Sequence, residues 1–282
     1  MYHKTLFIKK YSGDLEKFSF NKLKKSLQNS GASDEEINSI IETITPQLYD
    51  GINSKEIYKK AFGILKKSNR ICASKYSLKQ AIYDLGPTGY PFERLIGALL
   101  KQKGYNTQVG VVLKGECVSH EIDVLAEKDD KVYAIECKFH MNAKTVSNVK
   151  VPLYINSRFI DIQKQWNNSE KTTYLKQGWL ITNTRFTEDA INYGKCVDLT
   201  LLSWDYPKDN GISKNIDKFG LYPITTLTTI TKREKKLLIE KDIILTQELI
   251  YASHKLKQMG FKDKKIKNIQ SEAQRLCNVY PS

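Results

Sequence analysis

Hydrophobic and polar positions follow two different periods along this chain, and the switches between them mark its elements. Near the start, LFIKKYSGDLEKFSF alternates as two short strands about a Ser12-Gly13 turn. Helical spacing follows. NKLKKSLQNSG takes Asn21 as its N-cap and Gly31 as its stop, and SDEEINSIIETITPQLYDG opens on a capping box of Ser33 and Glu36. SKEIYKKAFGILKKSN brings Ile57, Phe62, Ile64 and Leu65 toward one face, and CASKYSLKQAIYDLG predicts a further helix up to Gly86. GPTGYP, residues 86–91, sets two Gly and two Pro in six residues and predicts a linker.

Beyond the linker, FERLIGALLKQKGY spaces Phe92, Leu95, Ile96, Leu99 and Leu100 as the buried stripe of a helix that stops at Gly104. NTQVGVVLKG, HEIDVLAE and KVYAIECKF then read as strands, with Lys128-Asp129-Asp130-Lys131 turning between the last two. A helix is expected within residues 144–166, then a strand at GWLITNT, a helix at TEDAINYGKC and a strand at VDLTLLSW. This alternation predicts an α/β (α+β) fold, a central mixed sheet flanked by helices. Residues 208–230 show no period and are expected to be irregular. From Lys232 onward KREKKLLIEKD, TQELIYASHKLKQMG and DKKIKNIQSEAQRLC are helical in pattern. The expected organisation is a small, mainly helical domain over 1–88, a sheet domain over 92–207 and a helical C-terminal region over 225–282.

Charge narrows the partners. Among 282 residues, 45 Lys and Arg stand against 31 Asp and Glu, a net charge of +14 that favours a polyanion partner, nucleic acid, nucleotide or an anionic membrane surface, with genome composition as the alternative source of the excess. No run of about 18 apolar residues is present, and the first residues lack the apolar core of a signal peptide, so a cytoplasmic protein with no membrane segment is expected. Cys72, Cys117, Cys137, Cys196 and Cys277 are scattered without a CxxC, which predicts reduced thiols. Cys117 with His120 and Cys137 with His140 resemble a zinc set in spacing. Residues three apart on a strand face opposite ways, which argues against it.

The densest chemistry lies in HEIDVLAEKDDKVYAIECKFH. Glu121 and Asp123 share one strand face, and Glu136 and Lys138 share a face of the next. A hairpin would bring these faces together at one sheet edge. Two carboxylates and an ammonium there suit Mg²⁺-assisted phosphodiester hydrolysis. The alternative is a solvated polar face. The apolar flanks IDVLA and VYAIEC favour central strands, where unpaired acids are costly.

At these residues the chain resembles the PD-(D/E)xK nuclease superfamily, and within it the Mrr-like restriction endonucleases. The likeness spans residues 92–204: FERLIGALLKQKGY, then Glu121-Ile122-Asp123, then Glu136-Cys137-Lys138, then GWLITNTRFTEDAINYGK. It implies Asp123 and Glu136 as ligands of Mg²⁺ or Mn²⁺, Lys138 as the catalytic lysine and Glu93 as the acid of the first helix. Two departures are visible: GECVSHEID replaces a Gly-rich approach to the Asp, and Gln often stands where Glu136 is. The implied activity is a metal-dependent deoxyribonuclease of restriction or repair, or of junction and flap processing. Double-strand cutting by such a site implies a homodimer. Lys150 and Arg158, in VKVPLYINSRF, are candidate DNA phosphate contacts, with an ordinary basic helix face as the alternative.

Residues 4–88 resemble an ATP-cone, a nucleotide-sensing regulatory module, through FIKKYSG, FSFNKL and ASKYSLKQAI. The likeness implies ATP or dATP as a regulatory ligand, with Lys9, Lys10 and Lys22 at its phosphates. The run from Lys9 to Gly13 is one residue longer than the module's usual one. It also motivates an alternative: a nucleotide-responsive DNA-binding regulator on an inactive nuclease fold. The intact Asp123, Glu136 and Lys138 count against that. No P-loop is present. MGFKDKKIKNIQSEAQRL resembles a helix–hairpin–helix whose second glycine is missing, and a capping helical bundle is the alternative.

Overall fold

The computed structural model describes residues 6–9, 15–169 and 172–278. The chain divides into two compact units: residues 1–80 with 226–234 and 249–282, and residues 81–225 with 235–248.

In the first unit β1 (Phe7–Lys9) pairs antiparallel with β2 (Leu15–Lys17), as the alternation predicts. The expected Ser12-Gly13 turn lies outside the described residues. α1 (Phe20–Asn29) is capped by the Ser19 side chain rather than by Asn21, and α2 (Asp34–Ile44) carries the Ser33–Glu36 capping box. β3 (Ile52–Asn53), which the pattern did not reveal, adds parallel to β1. α3 (Ser54–Ser68) follows. Asn69 then caps α4 (Arg70–Tyr76), and Ser77 separates α4 from α5 (Leu78–Tyr83) where one helix was expected. Leu27, Ile37, Ile40, Ile44, Ile52 and Leu65 form the core of this unit.

The second unit holds the sheet. α6 (Tyr90–Gln102) buries Phe92, Leu95, Ile96, Leu99 and Leu100, the stripe read from the sequence. β4 (Asn106–Lys114), β5 (Ser119–Lys128) and β6 (Lys131–Lys138) form an antiparallel meander, and β7 (Val146–Ser147) leads into α7 (Lys150–Asn167). β8 (Tyr174–Thr182), β9 (Arg185–Phe186), α8 (Glu188–Cys196) and β10 (Thr200–Leu202) complete the domain. The main sheet runs β10-β8-β6-β5-β4, with β8 parallel to both β6 and β10, while β7 and β9 pair as a separate ribbon. This is the mixed α/β sheet flanked by helices that the alternation predicts.

α9 (Ile212–Phe219) occupies the stretch expected to be irregular. Its eight residues bury only Ile212, Asn215 and Ile216, too short a stripe to stand out as a period. α10 (Lys232–Glu240), α11 (Ser253–Gln258) and α12 (Asp263–Leu276) follow. Here too one expected helix breaks: 246–249 is a single 3-10 turn, and α11 begins only at Ser253. In the first unit Glu272 of α12 is 5% exposed. It accepts from the Ser74 hydroxyl, the Thr228 amide and hydroxyl, and the Thr229 amide, at 2.8–3.0 Å. That carboxylate ties α12 and the 228–229 segment to α4. Among the described residues no helix is long and apolar enough to cross a membrane.

Candidate active site

The turn between β5 and β6 sets the register of the site. Asp129 and Asp130 both take positive φ, 52° and 59°, the backbone of a two-residue primed turn whose twist matches the strands it joins. Lys128 then faces Lys131, and the pairing runs to Val124 opposite Ile135. One step further, that register sets Asp123 opposite Glu136. The ladder stops there, and the Asp123 carboxylate takes the Cys137 amide at 2.6 Å. On the other side of β5, Gly110 adopts φ +68° between the pairs Val109–Val124 and Val111–Ile122. A left-handed residue interrupts β4 at the level of Asp123, a place that glycine fills without strain.

Glu136 is reached from α7. Arg158 Nη1 donates to Glu136 Oε2 at 2.7 Å, with the two side chains 15% and 13% exposed. Arg158 Nη2 donates to the Glu121 carbonyl, and the guanidinium lies 5.7 Å from the centre of the exposed Tyr154 ring. Lys138 ends β6 exposed to solvent. Its backbone is pinned from β8: the Thr182 hydroxyl donates to the Lys138 carbonyl at 2.8 Å, and Thr182 bonds Thr184 at 3.2 Å. Asn183 exchanges two 2.8 Å bonds with the backbone of His140. The Thr-rich turn of GWLITNT therefore fixes the end of β6. Glu93 projects half-buried from the first turn of α6.

Electrostatics bind these acids into one group. Burial pushes the Glu93 carboxyl up to about 7, and the charges of Asp123, Glu121 and Glu136 add to the rise. Glu136 is also pushed up to about 7, by burial and then by Asp123, while Arg158 and Lys138 pull the other way. Burial raises Asp123 as well, against the Cys137 amide and Arg158. Asp123 thus makes ionisation of both Glu93 and Glu136 costlier, and Glu136 adds to the cost at Glu93. Among the described residues no group of three His, Cys, Asp or Glu side chains converges tightly enough to hold a metal ion unaided.

The Cys117, His120, Cys137 and His140 set has other engagements. His120 Nε2 meets Asp161 Oδ2 at 2.7 Å, and Asp161 also accepts from the amides of Cys117 (2.8 Å) and Val118 (3.3 Å). His140 Nε2 meets the Ser147 hydroxyl at 3.2 Å. Lys150 lies exposed at the first residue of α7.

The sequence did not reveal that Arg158 would face Glu136, or that Asp161 would anchor the β4–β5 tip. One signal was available: Arg158 and Asp161 are three apart on α7 and so share a face.

In the first unit, Lys9 is exposed on β1, Lys10 lies outside the described residues, and Lys22 is exposed on α1 in an ion pair with Glu16. Lys22 also borders a cavity of about 200 Å³ whose walls include Ile8, Glu16, Ser26, Tyr58 and Tyr76. The Tyr58 and Tyr76 rings stack at 5.1 Å.

Comparison with known proteins places these features. A family model described as restriction endonuclease matches residues 87–205, and one described as AF1548-like, C-terminal, matches residues 222–277. An uncharacterized protein of Archaeoglobus fulgidus is 36% identical over 179 residues, which are 63% of this chain and 97% of that protein. The crystal structure of AF1548, a protein of unknown function, is similar at 33% identity and a TM-score of 0.56, over 68% of this chain and 100% of that one. The MspJI restriction endonuclease in complex with a 27-mer oligonucleotide aligns at 11% identity and a TM-score of 0.31, over 59% of this chain and 40% of that one, too low a score to bear on this chain.

Proposed function

The chain belongs to the AF1548-like family, and from that premise we propose that it is a metal-dependent DNA endonuclease whose site is Asp123, Glu136, Lys138 and Glu93. The restriction-endonuclease domain supports a nuclease in general. The observation that carries the assignment of residues is the β5–β6 register, which sets Asp123 against Glu136 and leaves Lys138 on the same face at the strand end.

The donor set fits Mg²⁺ or Mn²⁺. Asp123 and Glu136 offer oxygen only, the choice of a hard cation, and a pair of acids suits an ion that keeps several waters. Those two residues would hold it. When bound, it would acidify a water and offset phosphate charge. The rest falls to side chains of this chain. The Lys138 ammonium orients the attacking water and steadies charge on the phosphate. Glu93, with its carboxyl near neutrality, accepts the proton that water releases. Lys150 contacts backbone phosphate, so binding weakens as salt rises. Restriction or repair of DNA is the role this chemistry serves, with a dimer where both strands are cut.

Nicking of supercoiled plasmid tests this reading. Wild-type protein with Mg²⁺ should cleave, and Asp123→Ala and Lys138→Ala should each lose about a hundredfold or more. Wild-type binding without cleavage, over several types of DNA and with Mg²⁺ or Mn²⁺, would instead support the inactive-fold regulator.

The cavity beside Lys22 supports the nucleotide part of the proposal: ATP or dATP, bound in the first unit, regulates the nuclease. Stacked tyrosines suit a planar base, and lysine at the rim suits phosphate. Each nucleotide, titrated against wild type and Lys22→Ala, should raise the thermal midpoint of the wild type alone. No shift in either protein would remove this part and leave the nuclease intact.

A further inference from the structure

Arg158 sits where a metal-ligand acid has no need of a permanent partner. Its guanidinium divides its bonds: Nη1 is on Glu136, Nη2 is on the Glu121 carbonyl, and the Tyr154 ring lies alongside. Two of these three contacts, the carbonyl and the ring, do not involve Glu136. Loss of Glu136 as a partner would therefore leave the guanidinium tethered at the site with Nη1 open.

We propose that Arg158 is an exchangeable counterion: it holds Glu136 until a divalent cation takes that carboxylate, and then turns Nη1 to a phosphate oxygen of the DNA. This rests on the metal-dependent reading above. The charges favour the exchange. Burial and neighbouring acids oppose charge on Glu93, Asp123 and Glu136, and Arg158, with Lys138, offsets part of that cost at Asp123 and Glu136. A divalent ion takes over that task. The guanidinium is then surplus among the acids, while its planar fork matches a phosphate. Tyr154, 65% exposed and one turn before Arg158 on α7, lies between the guanidinium and solvent, the side from which DNA would reach it. A fixed structural bridge would differ in one respect: it would help the metal site form instead of competing with the metal.

The test is Mn²⁺ binding by the full chain without DNA, measured by calorimetry on wild type, Arg158→Gln, Arg158→Lys and Glu136→Gln. Removing the competing charge should tighten Mn²⁺ binding by Arg158→Gln about three- to tenfold. A divalent ion gains about twice what a proton gains from losing a neighbouring positive charge, so this sign holds even where Glu136 takes up a proton. Plasmid cleavage at saturating Mn²⁺ should fall in the same variant, with Arg158→Lys recovering part of it. Equal or weaker Mn²⁺ binding by a folded Arg158→Gln would overturn the exchange. Absence of Mn²⁺ binding in wild type would overturn the metal reading itself. Should Arg158→Gln fail to fold, the side-chain NMR signal of Arg158 in wild type, assigned by its loss in Arg158→Lys, decides. It should shift on Mg²⁺ addition, and an unmoved signal would count against the exchange.

Discussion

Glu93→Gln separates the cost of the acidic cluster from its use. Every influence on the Glu93 carboxyl opposes its charge: burial first, then Asp123, Glu121 and Glu136, which together carry it from 4.5 to about 7. The folded state thus holds a proton that the unfolded chain releases near 4.5. Stability contributed by this group is present below that value, is lost as pH rises toward 7, and stays lost above it. A shift of this size corresponds to at most about 3 kcal/mol, and Glu93 is partly open to solvent, so about 1–2 kcal/mol is expected. Gln keeps the shape and cannot ionise. Urea unfolding of wild type and Glu93→Gln, in chelator, should give equal stabilities at about pH 4 and a growing advantage for the variant up to about pH 7.5. Mg²⁺ should shrink that advantage by supplying the missing positive charge. A difference that stays flat across this range, or one that favours wild type as pH rises, would refute the idea that these acids repel one another in the fold. The same substitution should lower cleavage about a hundredfold if Glu93 is the proton acceptor.

Other parts of the fold make separate predictions. Gly178→Ala places a Cβ on the Phe159 ring and should cost about 1–3 kcal/mol by urea unfolding; a neutral result would mean that α7 shifts freely over β8. Glu272→Ala leaves the donors of Ser74, Thr228 and Thr229 without their acceptor and should cost about 3 kcal/mol or more, whereas a loss under about 1 kcal/mol would show water replacing the carboxylate. Asp161→Ala frees the β4–β5 tip from α7, so the Cys117 and Val118 amides should exchange with solvent about tenfold faster or more while α6 stays protected. Unchanged exchange at those two amides would assign the tip's order to the strands alone.

The hairpin that carries the site was legible because two strong local signals agreed. The alternation on each side of Lys128–Lys131 sets which residues share a face, and a four-residue turn with Asp129 and Asp130 at its centre allows one register. The α6 stripe was legible for the same reason: its period is long and unbroken. Where the sequence failed, structure depends on partners distant in the chain. β3 is only Ile52 and Asn53, and it exists because β1 offers an open edge. α9 is held by three buried side chains, below what periodicity can register.

The site shows the same division. Asp123, Glu136 and Lys138 are tied to one hairpin, so their meeting is a local fact. Arg158 meets Glu136 across twenty-two residues, through the docking of α7 on the sheet, and its contact is a tertiary one. A helix face rich in Lys and Arg looks alike in sequence whether it serves water, phosphate or a buried acid. What distinguishes Arg158 is that its neighbour three residues on, Asp161, must reach back to the β4–β5 tip. Together with the buried stripe of Pro152, Ile155, Phe159 and Ile162, that requirement fixes the rotation of α7 and with it the direction of the guanidinium. The rotation of one helix, set by its buried stripe and by the reach of Asp161, therefore decides whether a second cation joins Lys138 beside these acids.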